Sequence, residues 1–457
     1  MAPTFPTKIS ILMPVHYPNL DLLKKAVESV TRQYHTNWEL CLFVDGEISE
    51  DIENYLDEQT QKFEGRIKVR RSETLMNNIS LSMNQCLYMA TGEWAIFLDQ
   101  DDELAPHALL ELAKTIAVHP EMVFAYSDED KLDKDGKRTE PYFKPTFDYY
   151  LFLGQNYPSH LSAYKTQVLR DIGGFDPEMN GAQDYDMTFR YLETTVGYPF
   201  DRTKVVHIPR ILYHGRKMES SSRENTKKAV LKHLVRMEQV ALVAPHPISP
   251  VYNQVRFLVP NEIQPLVSII IPTKDKVEFL KICLSSLLKR TSYPNYEILV
   301  IDTGSKESKT RKFYETSAEM RDSRIKLLRY PFAFNWSAVN NFGVKEAKGD
   351  YLVFLNNDTE VVESRWLDEM LGFALRSDVG VVGAKLLFAD QTIQHCGVSA
   401  WGGVAGHTHK HLPVVQKGYY GLANLSHEAT AVTGACMMTS RSWFDEIGGF
   451  DIADSWW

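Results

Sequence analysis

Short apolar segments alternate along the chain with longer segments whose apolar residues recur every three or four positions. The segments ISILMPV (9–15) and VSIIIPT (267–273) are rich in β-branched residues and contain proline near their ends, which is typical of buried parallel strands. The segments that follow them, 20–30 and 277–288, have the apolar spacing of helices. This alternation predicts an α/β fold with a mainly parallel, helix-covered sheet, in which ligands bind beyond the carboxyl ends of the strands.

The same series of segments occurs twice. Four residues of the first copy recur at a constant offset of 257, so that Asp45, Asn84, Gly92 and Asp101 match Asp302, Asn341, Gly349 and Asp358. The motif DIGGFD (171–176) recurs as EIGGFD (446–451) at a larger offset, which indicates a longer insertion in the second copy. A period of this length indicates duplication of a whole domain, because solenoid repeats are far shorter.

We therefore predict two tandem domains over 1–220 and 265–457, because 457 residues are too many for one ordinary core. A helical and proline-rich linker over 221–264 joins them, with the boundary near Pro260.

Composition restricts the class of protein. Hydrophobic residues make up 44% and charged residues 24% of the chain, as in an average globular protein. A net charge of -9 with both signs interspersed argues against a nucleic-acid partner. The five cysteines form no C-x-x-C pair, so we expect no disulfide framework or thiolate zinc site, and a cytoplasmic location. Without a signal peptide or an apolar span, membrane contact is expected to be peripheral, on the inner face.

Acidic residues crowd the end of the strand GEWAIFL, where Asp99, Asp101 and Asp102 follow within four positions. One interpretation is that Asp102 or Glu103 caps the next helix. The other is that a carboxylate here holds Mg²⁺ or Mn²⁺ together with a diphosphate. Such a cation neutralises the charge that develops on a departing nucleoside diphosphate.

Two further aspartates are candidates. Asp45 follows the strand LCLFV and could accept hydrogen bonds from a base or ribose, or simply form an Asp-Gly turn. Asp184 and Asp186 precede an apparent helix, and capping explains one of them. Asp184 could instead act as a general base that removes the proton of an incoming hydroxyl. In-line displacement through an oxocarbenium-like transition state would then invert the anomeric carbon.

Taken together, the motifs MPVHYP, LDQDD, GGFD and GAQDYDMTFR resemble family 2 glycosyltransferases of the GT-A fold, and they do so over nearly the whole chain. The resemblance implies that Val15 and Asp45 contact the nucleotide, Asp99 lies near the ribose, Asp101 binds the metal and Asp184 is the base. It also implies that GGFD, with flexible Gly173 and Gly174, forms a loop near the donor and acceptor sugars. His214 and Arg216, in ILYHGRKMESSS, are candidates to contact the diphosphate, although a structural role for His214 is equally open. Some relatives place a metal-binding histidine where this chain has Met218.

The second copy departs from the family pattern. Asn356 replaces Asp99, whereas Asp358 is retained as a metal ligand and Asp302 and Asn356 occupy the nucleotide positions. The chain stops at ADSWW soon after Asp451, so the second domain is expected to be truncated and to lack its base motif. HTHKH (407–411) could bind a metal, but an exposed polar loop is the preferred interpretation; His395 also resembles a family feature.

The resemblance implies a metal-dependent inverting glycosyltransferase that moves a hexose or deoxyhexose from a nucleotide sugar, preferably a UDP-sugar, to a growing surface polysaccharide such as O-antigen or capsule. The acceptor is expected to be an oligosaccharide, with a lipid-linked one as an option. The alternative is a non-catalytic protein that binds sugar nucleotides or acts as a scaffold in polysaccharide assembly. A nucleotidyltransferase, a dinucleotide-dependent dehydrogenase and a P-loop NTPase are disfavoured, because no glycine-rich phosphate loop follows either first strand.

Overall fold

The computed structural model describes residues 5–216 and 222–453 of the chain. The chain divides into two compact units, Met1–Gln239 with Val243–Gln254 and Val240–Leu242 with Val255–Trp457. The helix of the predicted linker therefore belongs to the first unit, where it packs against the helix that begins at Gln183.

The first unit alternates strands with helices. Its strands are β1 (Ile9–Val15), β2 (Trp38–Val44), β3 (Ile67–Arg71), β4 (Trp94–Phe97), β5 (Glu103–Leu104), β6 (Phe124–Leu132), β7 (Arg138–Tyr142), β8 (Ser162–Lys165) and β9 (Val205–Arg216). Its helices are α1 (Leu20–Thr31), α2 (Glu50–Lys62), α3 (Ile79–Met89), α4 (Ala108–Val118), α5 (Tyr149–Gly154), α6 (Thr166–Asp171), α7 (Gln183–Thr195) and α8 (Arg223–Arg236). Two 3-10 turns lie at Pro177–Met179 and Arg202–Lys204.

These strands form one sheet in the order β3-β2-β1-β4-β8-β6-β9-β5, with β7 paired to β6. The first four strands of this order run parallel, whereas β8 is antiparallel to both of its neighbours. Every residue of β2 is buried, and only Pro14 of β1 is partly exposed. The predicted α/β fold with buried central strands is therefore confirmed.

The second unit repeats this arrangement. After β10 (Ala241–Pro245) and β11 (Asn253–Phe257), which form a small sheet, its strands are β12 (Val267–Thr273), β13 (Tyr296–Asp302), β14 (Ile325–Arg329), β15 (Tyr351–Leu355), β16 (Val381–Gly383), β17 (Leu386–Leu387), β18 (Ile393–His395), β19 (Val398–Trp401), β20 (Val404–His407) and β21 (Cys436–Ser440). Its helices are α9 (Val277–Arg290), α10 (Ser308–Thr316), α11 (Trp336–Glu346), α12 (Trp366–Ala374) and α13 (Arg441–Glu446), with 3-10 turns at Glu319–Arg321 and Tyr419–Gly421.

The main sheet of the second unit has the order β14-β13-β12-β15-β21-β16, which matches the first six positions of the first sheet. The longer insertion expected in the second copy lies between β16 and β21, where β17 with β18 and β19 with β20 form two small antiparallel pairs.

A buried glutamate ties the strands together at their amino ends. Glu39 of β2 is fully buried, and its carboxylate pairs with Lys8 at 2.6 Å and Lys68 at 2.9 Å. Burial alone would raise the pKa of Glu39, but these lysines, the Ser10 hydroxyl and the Thr91 backbone hold that pKa well below its usual range. In the second unit, Glu297 accepts a 2.7 Å hydrogen bond from the Ser268 hydroxyl in the same way.

The matched glycines found in the sequence belong to this network. The Gly92 N–H donates to the Ser10 hydroxyl at 2.8 Å, and the Gly349 N–H donates to Ser268 at the same distance. A Cβ on Gly92 would lie 2.8 Å from the Lys8 carbonyl oxygen, and one on Gly349 would lie 2.6 Å from that of Leu266. Only glycine fits where the backbones approach this closely.

A side-chain amide fixes the GGFD motif in both units. The Asn84 side chain donates to the Phe175 carbonyl at 2.9 Å and accepts from the Phe175 N–H at 2.8 Å. Asn341 makes the same pair of bonds with Phe450, at 2.8 and 3.0 Å. Gly173 and Gly174 have φ angles of +83° and +68° and end α6 in a left-handed turn. The GGFD motif is therefore a turn that follows α6 and is hydrogen-bonded to α3, and its place near the sugars stays a prediction.

We predict that Asn84→Ala lowers the free energy of unfolding of the first unit by about 1–3 kcal/mol, because both backbone groups of Phe175 lose their partner. Asn341→Ala, the matched variant, should affect the transition of the second unit instead. Denaturant unfolding of both variants measures this, and a wild-type transition for Asn84→Ala would contradict it.

Candidate functional site

The carboxyl ends of β1, β2 and β4 meet at one edge of the first sheet, because the three strands are parallel neighbours. The polypeptide segments that leave this edge are bound to each other. The Gln100 side chain accepts from the His16 N–H and donates to the His16 carbonyl, each at 2.8 Å. Sequence patterns gave no role to Gln100, which joins the segments after β1 and β4.

Asp102 is buried in this edge, with 4% of its surface exposed. It accepts hydrogen bonds from the Tyr213 hydroxyl at 2.7 Å and the Arg216 N–H at 2.6 Å. The helix that follows, α4, begins after His107 without a side-chain cap. The interpretation of Asp102 as a capping residue is therefore wrong, because its carboxylate binds β9 instead.

Arg216 is held against the same acidic segment. Its Nε donates to the Asp101 carbonyl at 2.7 Å, and its Nη2 pairs with Glu103 at 2.9 Å. The Asp99 N–H donates to the Tyr213 hydroxyl at 3.3 Å. The last residues of β9 therefore border the carboxylates that follow β4.

Three aspartates share one electrostatic site. Burial, and then the charges of Asp101 and Asp184, raise the pKa of Asp99 to about 7. Burial and the charge of Asp99 also raise the pKa of Asp102 to about 7. The structure thus brings together Asp99, Asp101 and Asp184, which are up to 85 positions apart in the sequence. Their mutual repulsion favours a ligand that brings positive charge.

Asp184 lies in the first turn of α7, and its Oδ2 accepts a 2.8 Å hydrogen bond from the Asn156 side chain. Asp186, the other acidic residue of this turn, is buried and pairs with Arg190 at 2.8 Å. The two carboxylates therefore differ: Asp186 pairs with a cation of its own helix, whereas the charge of Asp184 acts on Asp99.

The acidic edge fits a hard divalent cation that a diphosphate helps to bind. Within 5–216 and 222–453, no group of three or more histidine, cysteine or acidic side chains could enclose a metal by itself. Mg²⁺, however, is commonly held by one or two carboxylates together with substrate phosphates. Asp101 provides such a hard oxygen ligand, and a cation bound there would relieve its repulsion with Asp99.

Asp45 follows β2 and is 98% buried. Its two carboxylate oxygens accept the N–H groups of Met76 and Asn77, at 2.7 and 2.9 Å. Its own N–H donates to the carbonyl of Val15 at 2.8 Å. Asp45 therefore anchors the segment around residues 76 and 77 at this edge, and the Asp-Gly turn is only part of its role.

His214 lies on β9, where its Nδ1 is 2.6 Å from Asp130. Asp130 is buried and also pairs with the exposed Arg138 at 2.6 Å, so the ring contacts a carboxylate that is already held in place. This contact supports the structural alternative for His214. Met218 lies outside the described residues.

In the second unit, Asp302 does not occupy the place of Asp45. Thr273 pairs with Asp302 in the strand register in which Val15 pairs with Val44. The Thr303 N–H, rather than that of Asp302, makes the bond to the first strand that corresponds to the Asp45 bond. The offset is 258 residues over the first three strands and 257 from α3 to β4, because the second copy is one residue shorter between its third strand and the helix that follows.

Asp302 is 98% buried and forms an ion pair with Arg329 and a 3.0 Å hydrogen bond with the Ser305 N–H. Beside it lies a pocket of about 360 Å³. The pocket is lined by Asp302, Gly304, Ser305, Arg311, Glu315, Arg329 and Tyr330.

Asn356 and Asp358 do correspond to Asp99 and Asp101, because Phe354 and Phe97 have the same place in the sheet. The Asn356 N–H donates to the Ala435 carbonyl at 3.0 Å. Next to it, the Asn357 amide donates to the Thr273 hydroxyl at 2.9 Å, much as Gln100 binds His16. The second unit thus keeps this cross-link with two carboxylates fewer, because Asn356 matches Asp99 and Thr359 matches Asp102.

The histidines of the insertion form a pair. His395 is buried, and its Nδ1 lies 2.8 Å from Nδ1 of His407. Burial, and then His407 and His427, lower the pKa of His395 to about 4. His407 and His411 are exposed, in line with an exposed polar loop.

No helix in the described part of the chain is both long and apolar enough to span a bilayer.

We predict that metal-free protein becomes less stable as the pH rises from about 4 to 7, in part because of Asp102. Its folded pKa of about 7 lies above the unfolded value of about 3.9, so the folded state holds a proton that the unfolded state has already lost. Asp102→Asn should remove that part of the fall in Tm between pH 5 and 8. The exposed Asp51→Asn serves as the control, and equal pH dependence of Asp102→Asn and wild type would contradict the assignment.

Two segments, residues 10–173 and 268–448, match the sequence profile described as Glycosyl transferase family 2. An uncharacterized protein of Sinorhizobium fredii, y4gI, is 37% identical over 98% of this chain and 49% of its own length. The O-antigen biosynthesis protein RfbC of Myxococcus xanthus is 34% identical over 97% of this chain and 34% of its own length. The Escherichia coli UDP-Glc:alpha-D-GlcNAc-diphosphoundecaprenol beta-1,3-glucosyltransferase WfgD is 33% identical over 25% of this chain and 43% of its own length. The chain thus spans half or less of the length of these relatives.

Proposed function

Because the chain belongs to the family 2 glycosyltransferases, we propose that its first unit transfers a sugar from a nucleotide-sugar donor to an acceptor hydroxyl, with inversion at the anomeric carbon. The observation that carries this proposal is that the fold brings Asp184 of α7 to the end of β4, where burial and then the charges of Asp101 and Asp184 raise the pKa of Asp99. Inverting transfer requires a base on one side of the sugar and a diphosphate-binding edge on the other. Asp184 of α7 is the proposed base, and the aspartates that follow β4 form the proposed edge.

In this mechanism Asp184 accepts the proton of the acceptor hydroxyl. The acceptor oxygen forms a bond to the anomeric carbon while the bond from that carbon to the diphosphate oxygen breaks. The nucleoside diphosphate leaves with the bonding electron pair. A single displacement of this kind inverts the configuration, because the nucleophile enters opposite the leaving group.

Asp101 would hold Mn²⁺ or Mg²⁺, and Asp99, beside it, is assigned to the ribose of the donor. When bound, the cation supplies positive charge to the departing diphosphate. Arg216 lies against the Asp101 backbone and Glu103, so it is a cation placed to border the diphosphate. Val15 and Asp45 are assigned to the nucleotide, at the ends of β1 and β2.

We assign the physiological task to the synthesis of a bacterial surface polysaccharide. The name of RfbC supports an O-antigen, and the name of WfgD supports a UDP-sugar donor and a lipid-linked acceptor. A hexose or deoxyhexose on UDP is therefore the proposed donor, and the acceptor is an oligosaccharide reached at the inner face of the cytoplasmic membrane.

The alternative, a unit that binds without catalysing, is favoured for the second unit by one observation. The buried carboxylate of Asp302 is already paired with Arg329. Asn356 stands at the position that corresponds to Asp99 in the first unit. Asp358 remains as the proposed metal ligand there.

We predict that Asp184→Asn lowers kcat by about 100- to 10,000-fold, the range expected for loss of a general base. Donor binding should change little, because the substitution preserves size. Initial rates and calorimetric donor affinity measure the two effects. Asp51→Asn, in the first turn of α2, is the matched control and should behave as wild type. Turnover by Asp184→Asn at the wild-type rate would refute the base assignment.

We also predict that one class of donor among UDP-, GDP-, dTDP- and CMP-sugars raises the Tm of the chain only when Mn²⁺ is present. The shift should disappear in Asp101→Ala/Asp358→Ala, which removes the proposed metal ligands of both units. Stabilisation of equal size in the double variant would contradict the metal assignment, and no stabilisation of wild type by any donor would favour a non-catalytic protein.

A further inference from the structure

The segment 155–160, between α5 and β8, approaches both sides of the proposed reaction centre. At one end the Asn156 amide donates to Asp184 Oδ2 at 2.8 Å. At the other end His160 Nε2 lies 3.9 Å from Asp99 Oδ2. One short piece of backbone therefore carries a side chain to the proposed base and another to the carboxylate assigned to the donor.

A buried lysine holds this segment. The Lys144 side chain is fully buried, and its Nζ donates to the carbonyls of Pro158 at 2.9 Å and His160 at 2.5 Å. Its charge is compensated by Glu129 at 3.4 Å. Burial nevertheless lowers the pKa of Lys144. An ammonium group buried among carbonyls and one carboxylate is a rigid anchor, because moving it away from these oxygens would leave a buried charge unpaired.

A second anchor lies in the middle of the segment. Tyr157 is 98% buried, and its hydroxyl accepts the N–H of Asp148 at 2.7 Å. The backbone on either side of Asn156 and His160 is thus fixed to the interior of the unit.

The orientation of the His160 ring is also set by packing. The ring stacks on Tyr213 with centroids 4.6 Å apart and planes 14° from parallel. Its Nδ1 is buried without a hydrogen-bond partner among the residues described. The remaining nitrogen, Nε2, is the one that faces Asp99, so the ring directs its polar contact towards that carboxylate.

We propose that segment 155–160 is a positioning element in which Asn156 orients Asp184 and His160 orients Asp99, so that the base and the donor-binding carboxylate keep a fixed separation. The inference rests on the proposed function and adds two residues to it. Neither is a catalytic residue, since each acts through the aspartate that it contacts. Misplacement of a reacting group by about 1 Å can cost 100-fold in rate, which is why such an element matters.

The two ends of the segment should affect different parameters. Asn156→Ala should lower kcat by about 10- to 100-fold, with the affinity for UDP in Mn²⁺ unchanged. Asn156→Gln, which keeps the amide donor, should recover part of the loss.

His160→Ala should weaken UDP binding in Mn²⁺ about tenfold, or about 1.4 kcal/mol, with a smaller change in kcat at saturating donor. His160→Gln should restore part of the affinity.

All variants are made in the full chain carrying Asp358→Ala, so that binding reports on the first unit. Calorimetry measures the affinity for UDP with Mn²⁺, and release of UDP from UDP-glucose, UDP-galactose and UDP-N-acetylglucosamine measures turnover. Asn37→Ala is the control, because Asn37 donates to the Pro6 carbonyl far from the aspartates in the fold.

Changes of equal size in both parameters for both alanine variants, without recovery by the glutamine variants, would indicate general loss of structure and overturn the proposal. Wild-type behaviour of both alanine variants would overturn it as well. A parent protein that releases no UDP from any of the three sugars would contradict the proposed donor class, while the UDP affinities would still test the His160 end.

Discussion

Repulsion among the carboxylates of Asp99, Asp101 and Asp184 is the constraint on which the arrangement of the first unit depends. Burial and these like charges together oppose the ionisation of Asp99 and raise its pKa. Here β9 provides Tyr213 and Arg216, and the segment after α5 provides Asn156. These contacts hold the aspartates without neutralising them, which is what a site for a cation and a diphosphate requires.

The second unit shows the same sheet with this repulsion reduced. Asn356 replaces one carboxylate, and Arg329 neutralises Asp302. The cross-link between the segments after the first and fourth strands survives as Asn357 to Thr273. The strand order and the GGFD attachment therefore do not depend on the acidic edge, because they persist where that edge has lost charge.

The sequence predicted the sheet, its duplication and the strand ends well, since these follow from apolar runs and from local motifs. The role of Asp102 could not be predicted from its local sequence, because its carboxylate is buried against Tyr213, on a strand that begins about one hundred residues later. Asn156 and His160 lie in a stretch without a motif, and only the fold brings them to Asp184 and Asp99. The match of Asp45 to Asp302 failed because the second copy is one residue shorter between β14 and α11 than the first is between β3 and α3, a shift that the backbone pairing of the strands reveals.

The network around Glu39, and its counterpart at Glu297, lies at the amino ends of the strands, opposite the aspartates. The features that keep the strands together and the features proposed for chemistry thus occupy separate ends of each sheet. After duplication, one copy was free to accumulate changes at its carboxyl edge while its architecture stayed under independent control. Because of this division, substitutions at the carboxyl edge of one unit can change its donor preference, or abolish donor binding, without preventing either unit from folding.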